Sequence, residues 1–181
     1  CHLGNGCSMD AVKNGWAIDT SMGFTPLEGL MMGSKTGDID PAAVLYIMKK
    51  EGQTPEQMDT LLNKKSGLLG YSGISSDMRE IIKNAGEGHE KAKTAIEMYA
   101  YRIKKYIGAY YGILGGLDVL VFTAGVGENS PVIRKKACEN LECFGIKIDD
   151  DKNSKAFGGE FEINAAGMAV KILVIPTNEE I

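Results

Sequence analysis

Residues 117–123, Leu-Asp-Val-Leu-Val-Phe-Thr, form an almost unbroken apolar run that gives way to Ala-Gly-Val-Gly-Glu-Asn-Ser at 124–130. A strand that is apolar on successive residues has no solvent face, so it belongs inside a sheet covered on both sides. The glycine-rich segment after it then lies where α/β sheets present their loops to ligands. Upstream, residues 90–114 repeat apolar side chains at helical spacing through Ile96, Tyr99, Ala100, Ile103, Ile107 and Tyr110. That period predicts one long amphipathic helix. Helix, buried strand, glycine-rich segment and a further helix entered at Pro131 together predict an α/β fold.

The remaining elements are marked by their ends. Asn14-Gly15 between two short runs in residues 8–20 predicts a hairpin, because a type I′ turn needs two positive φ angles. Asp40-Pro41, an N-cap followed by an N1 proline, opens a helix to about Lys50. Thr54-Pro55-Glu56-Gln57 is a capping box that opens another to about Lys65. Ser75 or Ser76 is expected to cap a short helix through about Asn84. Residues 22–37 read as a long glycine-punctuated loop over something functional, 145–167 as short strands and turns, and 169–175 as a last strand. No repeat, low-complexity tract or linker interrupts the chain, which reads as one mixed lobe over residues 1–181.

Composition narrows the class. A chain of 181 residues buries roughly 70% of its unfolded surface on folding, enough for its own core. The net charge of −4 argues against nucleic acid or an anionic membrane as the main partner. No apolar run reaches the roughly 18 residues of a membrane span, and no leader pattern opens the sequence, so a cytoplasmic setting is expected. Cys1, Cys7, Cys138 and Cys143 form no Cys-x-x-Cys pair, which points to idle thiols rather than a disulfide framework or zinc site.

Five stretches carry chemistry. His2-Leu-Gly-Asn-Gly6 is either a tight turn or a loop whose amides cradle phosphate, with Asn5 adding a side-chain amide. Asp77-Met-Arg79 either complements a helix dipole or offers a planar guanidinium for stacking on a base. Gly125-Val-Gly-Glu-Asn129 is a strand-to-helix turn or a ligand loop. Asn129 stands where a third glycine would be, which disfavours a Rossmann dinucleotide site and an oxidoreductase. Lys35, in Gly33-Ser-Lys-Thr-Gly37, fails the Walker A spacing but sits on a glycine-flanked loop that could reach a phosphoryl group; the alternative is a solvated lysine. Glu179-Glu180 follows a strand and either holds Mg²⁺ or simply precedes a helix. At both ends of the sequence these features read as parts of something longer, one half of a phosphoryl-transfer enzyme.

The ordered set of motifs resembles acetate kinase. The resemblance rests on His2-Leu-Gly-Asn-Gly6, Asp19-Thr-Ser-Met-Gly-Phe-Thr-Pro-Leu-Glu-Gly-Leu30, Gly37-Asp-Ile-Asp-Pro41, Asp77-Met-Arg79, Phe122-Thr-Ala-Gly-Val-Gly-Glu-Asn129 and Ile175-Pro-Thr-Asn-Glu-Glu180, spread over essentially the whole chain. It implies an actin-like, ribonuclease H-like lobe of the acetate and sugar kinase superfamily, a mixed sheet flanked by helices. Residues 1–181 would be the C-terminal nucleotide-binding lobe, with the N-terminal lobe and the extreme C-terminus lying outside them. The implied reaction is acetate plus ATP to acetyl phosphate plus ADP, reversible, with Mg²⁺, in a cytoplasmic homodimer.

By position, the resemblance assigns nucleotide binding to His2, Leu3, Gly4, Asn5, Gly6, Asp77, Met78, Arg79, Gly125, Val126, Gly127, Glu128 and Asn129, and the metal to Glu179. The family's catalytic arginine, in a Gly-Thr-Arg-Ser-Gly context, falls on Lys35, which keeps the charge but not the bidentate fork. The acyl side is expected from an asparagine, an arginine, an aspartate and a histidine of the other lobe. Propionate or butyrate as the acyl acceptor, and a nucleotide-binding module without catalysis, are the alternatives.

Overall fold

In the computed structural model, which describes residues 1–178, the chain opens with two short antiparallel strands, β1 (His2–Leu3) and β2 (Cys7–Ser8). The predicted hairpin follows as β3 (Asp10–Lys13) and β4 (Trp16–Thr20), with Lys13 opposite Trp16 across a two-residue turn. Asn14 and Gly15 both take positive φ, at 54° and 82°, as the turn type demands. By its contacts the chain divides into two compact units, one of Cys1–Thr20 with the chain from Ala100 onward, the other of Ser21–Tyr99. No linker composition announces that division.

The second unit begins with the expected long loop, irregular from Ser21 to Asp40. Part of it is buried, because Leu30, Met31 and Met32 supply core. Helix α1 (Pro41–Glu51) starts where Asp40 accepts from the Ala42 amide, and α2 (Pro55–Lys64) carries the full Thr54–Gln57 capping box. Helix α3 (Gly67–Ser72) was not expected; it is short and has no side-chain cap, so neither period nor cap marks it. Helix α4 (Met78–Gly86) is capped by Asp77, whose carboxylate accepts from the Arg79 amide. Ser75, one of the two expected caps, instead accepts from the Asp77 amide, so the cap lies one to two residues later than predicted.

Helix α5 (Glu90–Leu114) has the predicted length, and Ile96, Tyr99, Ala100, Ile103, Ile107 and Tyr110 are all buried. In the first unit β5 (Val119–Phe122) pairs in parallel with β7 (Lys171–Val174), and β6 (Phe161–Glu162) pairs antiparallel with β7. A parallel bridge from His2 to Thr123 sets β1 beside the end of β5. The result is the mixed sheet that was expected. Two expectations fail locally. Residues 124–129 are helix α6 (Ala124–Asn129), not a turn, followed by α7 (Pro131–Cys138). The stretch 145–167 contains helix α8 (Asp150–Lys155), started by Asp149 accepting from the amides of Asp151 and Lys152. All four cysteines are free, with Cys7 and Cys138 buried and Cys143 exposed. Among the described residues no helix is long and apolar enough to cross a membrane.

Candidate functional site

Two of the sequence motifs meet in the first unit. The turn at residues 4–6 joins β1 to β2, and its inner end is tied down. The Leu3 amide donates to Thr123 O at 3.0 Å, and the Thr123 amide donates to Cys1 O at 3.0 Å. Inside the turn the Gly4 amide donates to Gly6 O at 3.0 Å, and Cys7 Sγ donates to Gly4 O at 3.3 Å. Asn5 and Gly6 are the exposed residues of the turn. A Cβ on Gly4 would meet Gly6 O at 3.2 Å. A side chain at Gly4 would therefore be a tight fit, and its φ is not in the left-handed region.

Helix α6 lies against β1. Gly127 is buried there, and a Cβ on it would stand 3.4 Å from the Phe122 carbonyl carbon and 3.7 Å from Leu3 Cβ. Leu3 is fully buried, so only its backbone can face a ligand, and the same holds for Met78 in the other unit. Asn129 Nδ2 donates to Gly125 O at 3.0 Å along the outer face of α6. The entry to α6 is strained: Ala124 has φ 64°, the left-handed region that a Cβ disfavours. Its amide donates to Thr177 Oγ1 at 2.9 Å, and the hydroxyls of Thr123 and Thr177 share a hydrogen bond. The Thr177 amide donates to Glu128 Oε1 at 2.9 Å, so the Glu128 carboxylate ties down the segment after β7.

The far end of α6 is held by Arg134, which is fully buried. Its Nη1 donates to Gly127 O at 2.9 Å and Glu128 O at 2.7 Å. Its Nε donates to Asn153 Oδ1 at 2.8 Å, and Nη2 donates to Asn153 O at 2.9 Å and Ala156 O at 3.3 Å. All five guanidinium donors are thereby satisfied, and among the described residues no carboxylate reaches it. Burial lowers its pKa to about 10, which the neighbouring Cys138 opposes. Sequence reasoning missed both Arg134 and Thr177. Arg134 had a signal: it lies on the same helical face as Ile133, Ala137 and Cys138, where a lone charge demands partners.

The second unit holds the other two motifs. Arg79 is exposed, yet its Nε donates to both carboxylate oxygens of Asp77, at 3.0 and 3.1 Å, and its Nη2 donates to Oδ2 at 2.6 Å. Asp77 thus caps α4 and grips one edge of the guanidinium while the planar faces remain open. These bonds to Arg79 hold the Asp77 carboxyl below its usual pKa. Lys35 is placed differently. Its backbone is fixed: the Met32 amide donates to Lys35 O at 3.1 Å, the Thr36 amide to Leu62 O at 3.1 Å and the Ser66 amide to Ser34 O at 2.9 Å. Gly67, at φ 62°, backs onto this loop so closely that a Cβ would stand 2.2 Å from Met32 O. Among the described residues the Lys35 ammonium makes only a long contact, 3.4 Å to Pro26 O. A rigid base carrying a loosely held cation suits a group that must reach for a ligand.

Glu179, the carboxylate assigned to a metal, lies outside the described residues. Among the described residues no three His, Cys, Asp or Glu side chains gather around a possible ion, so they form no metal site by themselves.

Over residues 1–181 the sequence matches the Acetokinase family. The chain belongs to this family. Among acetokinase relatives, the acetate kinase of Dictyoglomus turgidum is 60% identical over 181 residues, covering 100% of this chain and 44% of that protein. The crystal structure of Porphyromonas gingivalis acetate kinase superposes with a TM-score of 0.96 at 50% identity, covering 99% of this chain and 45% of that one. A propionate kinase from Francisella tularensis superposes with a TM-score of 0.92 at 46% identity, again over 99% of this chain and 45% of that one. This acetokinase chain therefore spans less than half the length of the relatives it matches, and its fold is the mixed α/β, actin-like architecture of those kinases.

Proposed function

We propose that this chain is the C-terminal, nucleotide-binding lobe of an ATP:acetate phosphotransferase that interconverts acetate and ATP with acetyl phosphate and ADP. The observation that carries the reading is the seating of the 4–6 turn on α6, which brings two separate glycine motifs to one place in an acetokinase chain. In this reading an acetate oxygen attacks the γ-phosphorus in line, the bond from that phosphorus to the bridging oxygen breaks, and ADP leaves. Such transfer asks the protein mainly for alignment and charge neutralisation. The exposed Asn5 and Gly6 hold phosphate oxygens, with His2, Leu3 and Gly4 as their frame. Gly125, Val126, Gly127, Glu128 and Asn129 are the nucleotide-binding residues of the helical segment after β5, and Asp77, Met78 and Arg79 are those of the second unit. Lys35 reaches the phosphoryl group in transit.

Mg²⁺, when bound, neutralises phosphate charge, with Glu179 as its assigned carboxylate; a hard cation that takes its other ligands from phosphate and water needs no cluster of protein carboxylates. The acyl group is held by the N-terminal lobe, and closure of the lobes excludes the water that would otherwise take the phosphoryl group. The intact enzyme is a cytoplasmic homodimer in this reading. The likeness to a propionate kinase makes propionate as the acyl acceptor the second reading.

The test is acyl phosphate formation by the full-length protein, trapped with hydroxylamine, and its dependence on Lys35. Acetate-dependent hydroxamate is expected. Lys35→Ala should lower kcat by about 10²–10³ with little change in the KM for ATP, because the contact is made in the transition state. Lys35→Arg should be tolerated. Full-length protein that forms no hydroxamate with any short acid would leave a nucleotide-binding module without catalysis. A silent alanine variant would return Lys35 to the solvated surface.

A further inference from the structure

Helix α6 has no side-chain cap of its own at Thr123, although it starts on the left-handed residue Ala124. The missing cap is supplied from across the fold. Thr177 accepts from the Ala124 amide with its hydroxyl, bonds the Thr123 hydroxyl with the same oxygen, and donates its own amide to Glu128 Oε1. One residue therefore grips α6 at its first residue and again near its last. Thr177 lies beyond β7, so the grip spans the sheet from one strand end to the next. Three polar contacts thus converge on this one half-buried residue.

We propose that Thr177 is a positioning residue for the nucleotide: with the Glu128 carboxylate it fixes the left-handed turn at Ala124, and so the seat of residues 125–129 against the 4–6 turn. The inference rests on the nucleotide-binding reading above and gives Glu128 a different task within it. Its carboxylate serves Thr177 rather than the ligand. A residue holding strain in place differs from one that merely adds stability, because relief of the strain should replace it. Glycine adopts φ near 64° without a Cβ penalty, so Ala124→Gly should suppress the loss of the Thr177 hydroxyl.

The experiment is ADP titration calorimetry on the full-length protein, with thermal unfolding recorded beside it. Thr177→Val, which removes the hydroxyl and keeps the amide, should weaken ADP binding by about tenfold, the scale of one hydrogen bond. Thr177→Ser should bind within about twofold of wild type, since its hydroxyl is retained. Adding Ala124→Gly to Thr177→Val should restore affinity to within about threefold. Should Thr177→Val fail to fold, Glu128→Ala removes the other arm and is expected to weaken ADP severalfold, with Glu128→Gln, which keeps an acceptor for the Thr177 amide, losing less. Wild-type affinity in Thr177→Val or in Glu128→Ala, or a double variant no better than Thr177→Val, overturns the positioning role. Wild-type protein that binds no ADP overturns the nucleotide reading itself, a distinguishable result.

Discussion

Arg134, in the first unit, is fully buried and directs all five donors to neutral oxygens, whereas Arg79, in the second, has a side chain 89% exposed and is held by a carboxylate two residues before it. The contrast separates two ways of fixing a guanidinium. A buried cation has to be satisfied by groups the tertiary structure brings together, here from α6, α7 and α8, and it then fastens those elements. An exposed cation can be held by its own helix cap, at the modest strength of a surface pair, with its planar faces left for something else. Burial made Arg134 a fastener; exposure keeps Arg79 available. The same division separates the turn of residues 4–6, whose inner end is locked by Leu3 donating to Thr123 and Thr123 to Cys1, from the loosely held Lys35 ammonium.

The comparison breaks most sharply at Arg134. Arg134→Met removes a buried charge, which is a gain, but strands the carbonyls of Gly127, Glu128, Asn153 and Ala156 without their donors. The orphaned acceptors outweigh the relief, and a loss of about 3–5 kcal/mol is expected. Thermal unfolding should fall by roughly 10 °C on that scale, with Arg134→Lys intermediate. An unchanged Tm would mean that the fastener is idle.

At Arg79 the expected pattern is the reverse. Arg79→Ala should leave Tm nearly untouched and weaken ADP by about tenfold, the worth of a stacking or cation–π contact. Asp77→Asn keeps an acceptor for the cap but loosens the guanidinium, so a severalfold loss of affinity with an unfolding free energy within about 0.5 kcal/mol of wild type is expected. Calorimetry of the full-length protein would distinguish them, and wild-type affinity in Asp77→Asn would show that the carboxylate grip does nothing for the ligand.

The smallest effect lies one turn beyond Arg134. Burial pushes the Cys138 thiol up from 9.0 to about 12, with Lys104 and Arg134 pulling weakly the other way. The folded state therefore keeps this proton where the unfolded chain has lost it. The associated stability is complete below pH 9 and is lost as pH rises towards about 12. Cys138→Ala should remove a decline of about 1 kcal/mol between pH 9 and 10, measured by urea unfolding at each pH. A decline of the same size in the variant would assign it to other groups.

What the sequence showed depended on whether the cause was local. Asp40-Pro41, the Thr54–Gln57 box and Asn14-Gly15 each act within a few residues, and each element formed where it was expected. The period of residues 90–114 fixed both the length and the buried face of α5. Helix α3 starts at a left-handed glycine backed against Met32 and Lys35, contacts far along the chain that no pattern encodes. Helix α6 was read as a turn because three of its neighbouring positions are glycine or asparagine; it forms because Thr177 and Arg134 hold its two ends. The short strand β1 pairs with β2 and is tied to the end of β5 through Thr123, a partner far away in sequence. In the candidate site the glycine motifs themselves were legible, and the residues that support them, Thr177 and Arg134, were not.

The hairpin of β3 and β4 has an optical consequence. The sequence contains one tryptophan, Trp16, and it is 77% exposed at the turn of that hairpin. Its indole already meets water in the folded chain, so its emission should sit at long wavelength and change little on denaturation. Tryptophan fluorescence is thus a poor reporter of core melting in this chain. It is instead a built-in sensor of the hairpin surface, blue-shifting when anything covers that face and silent when the interior comes apart.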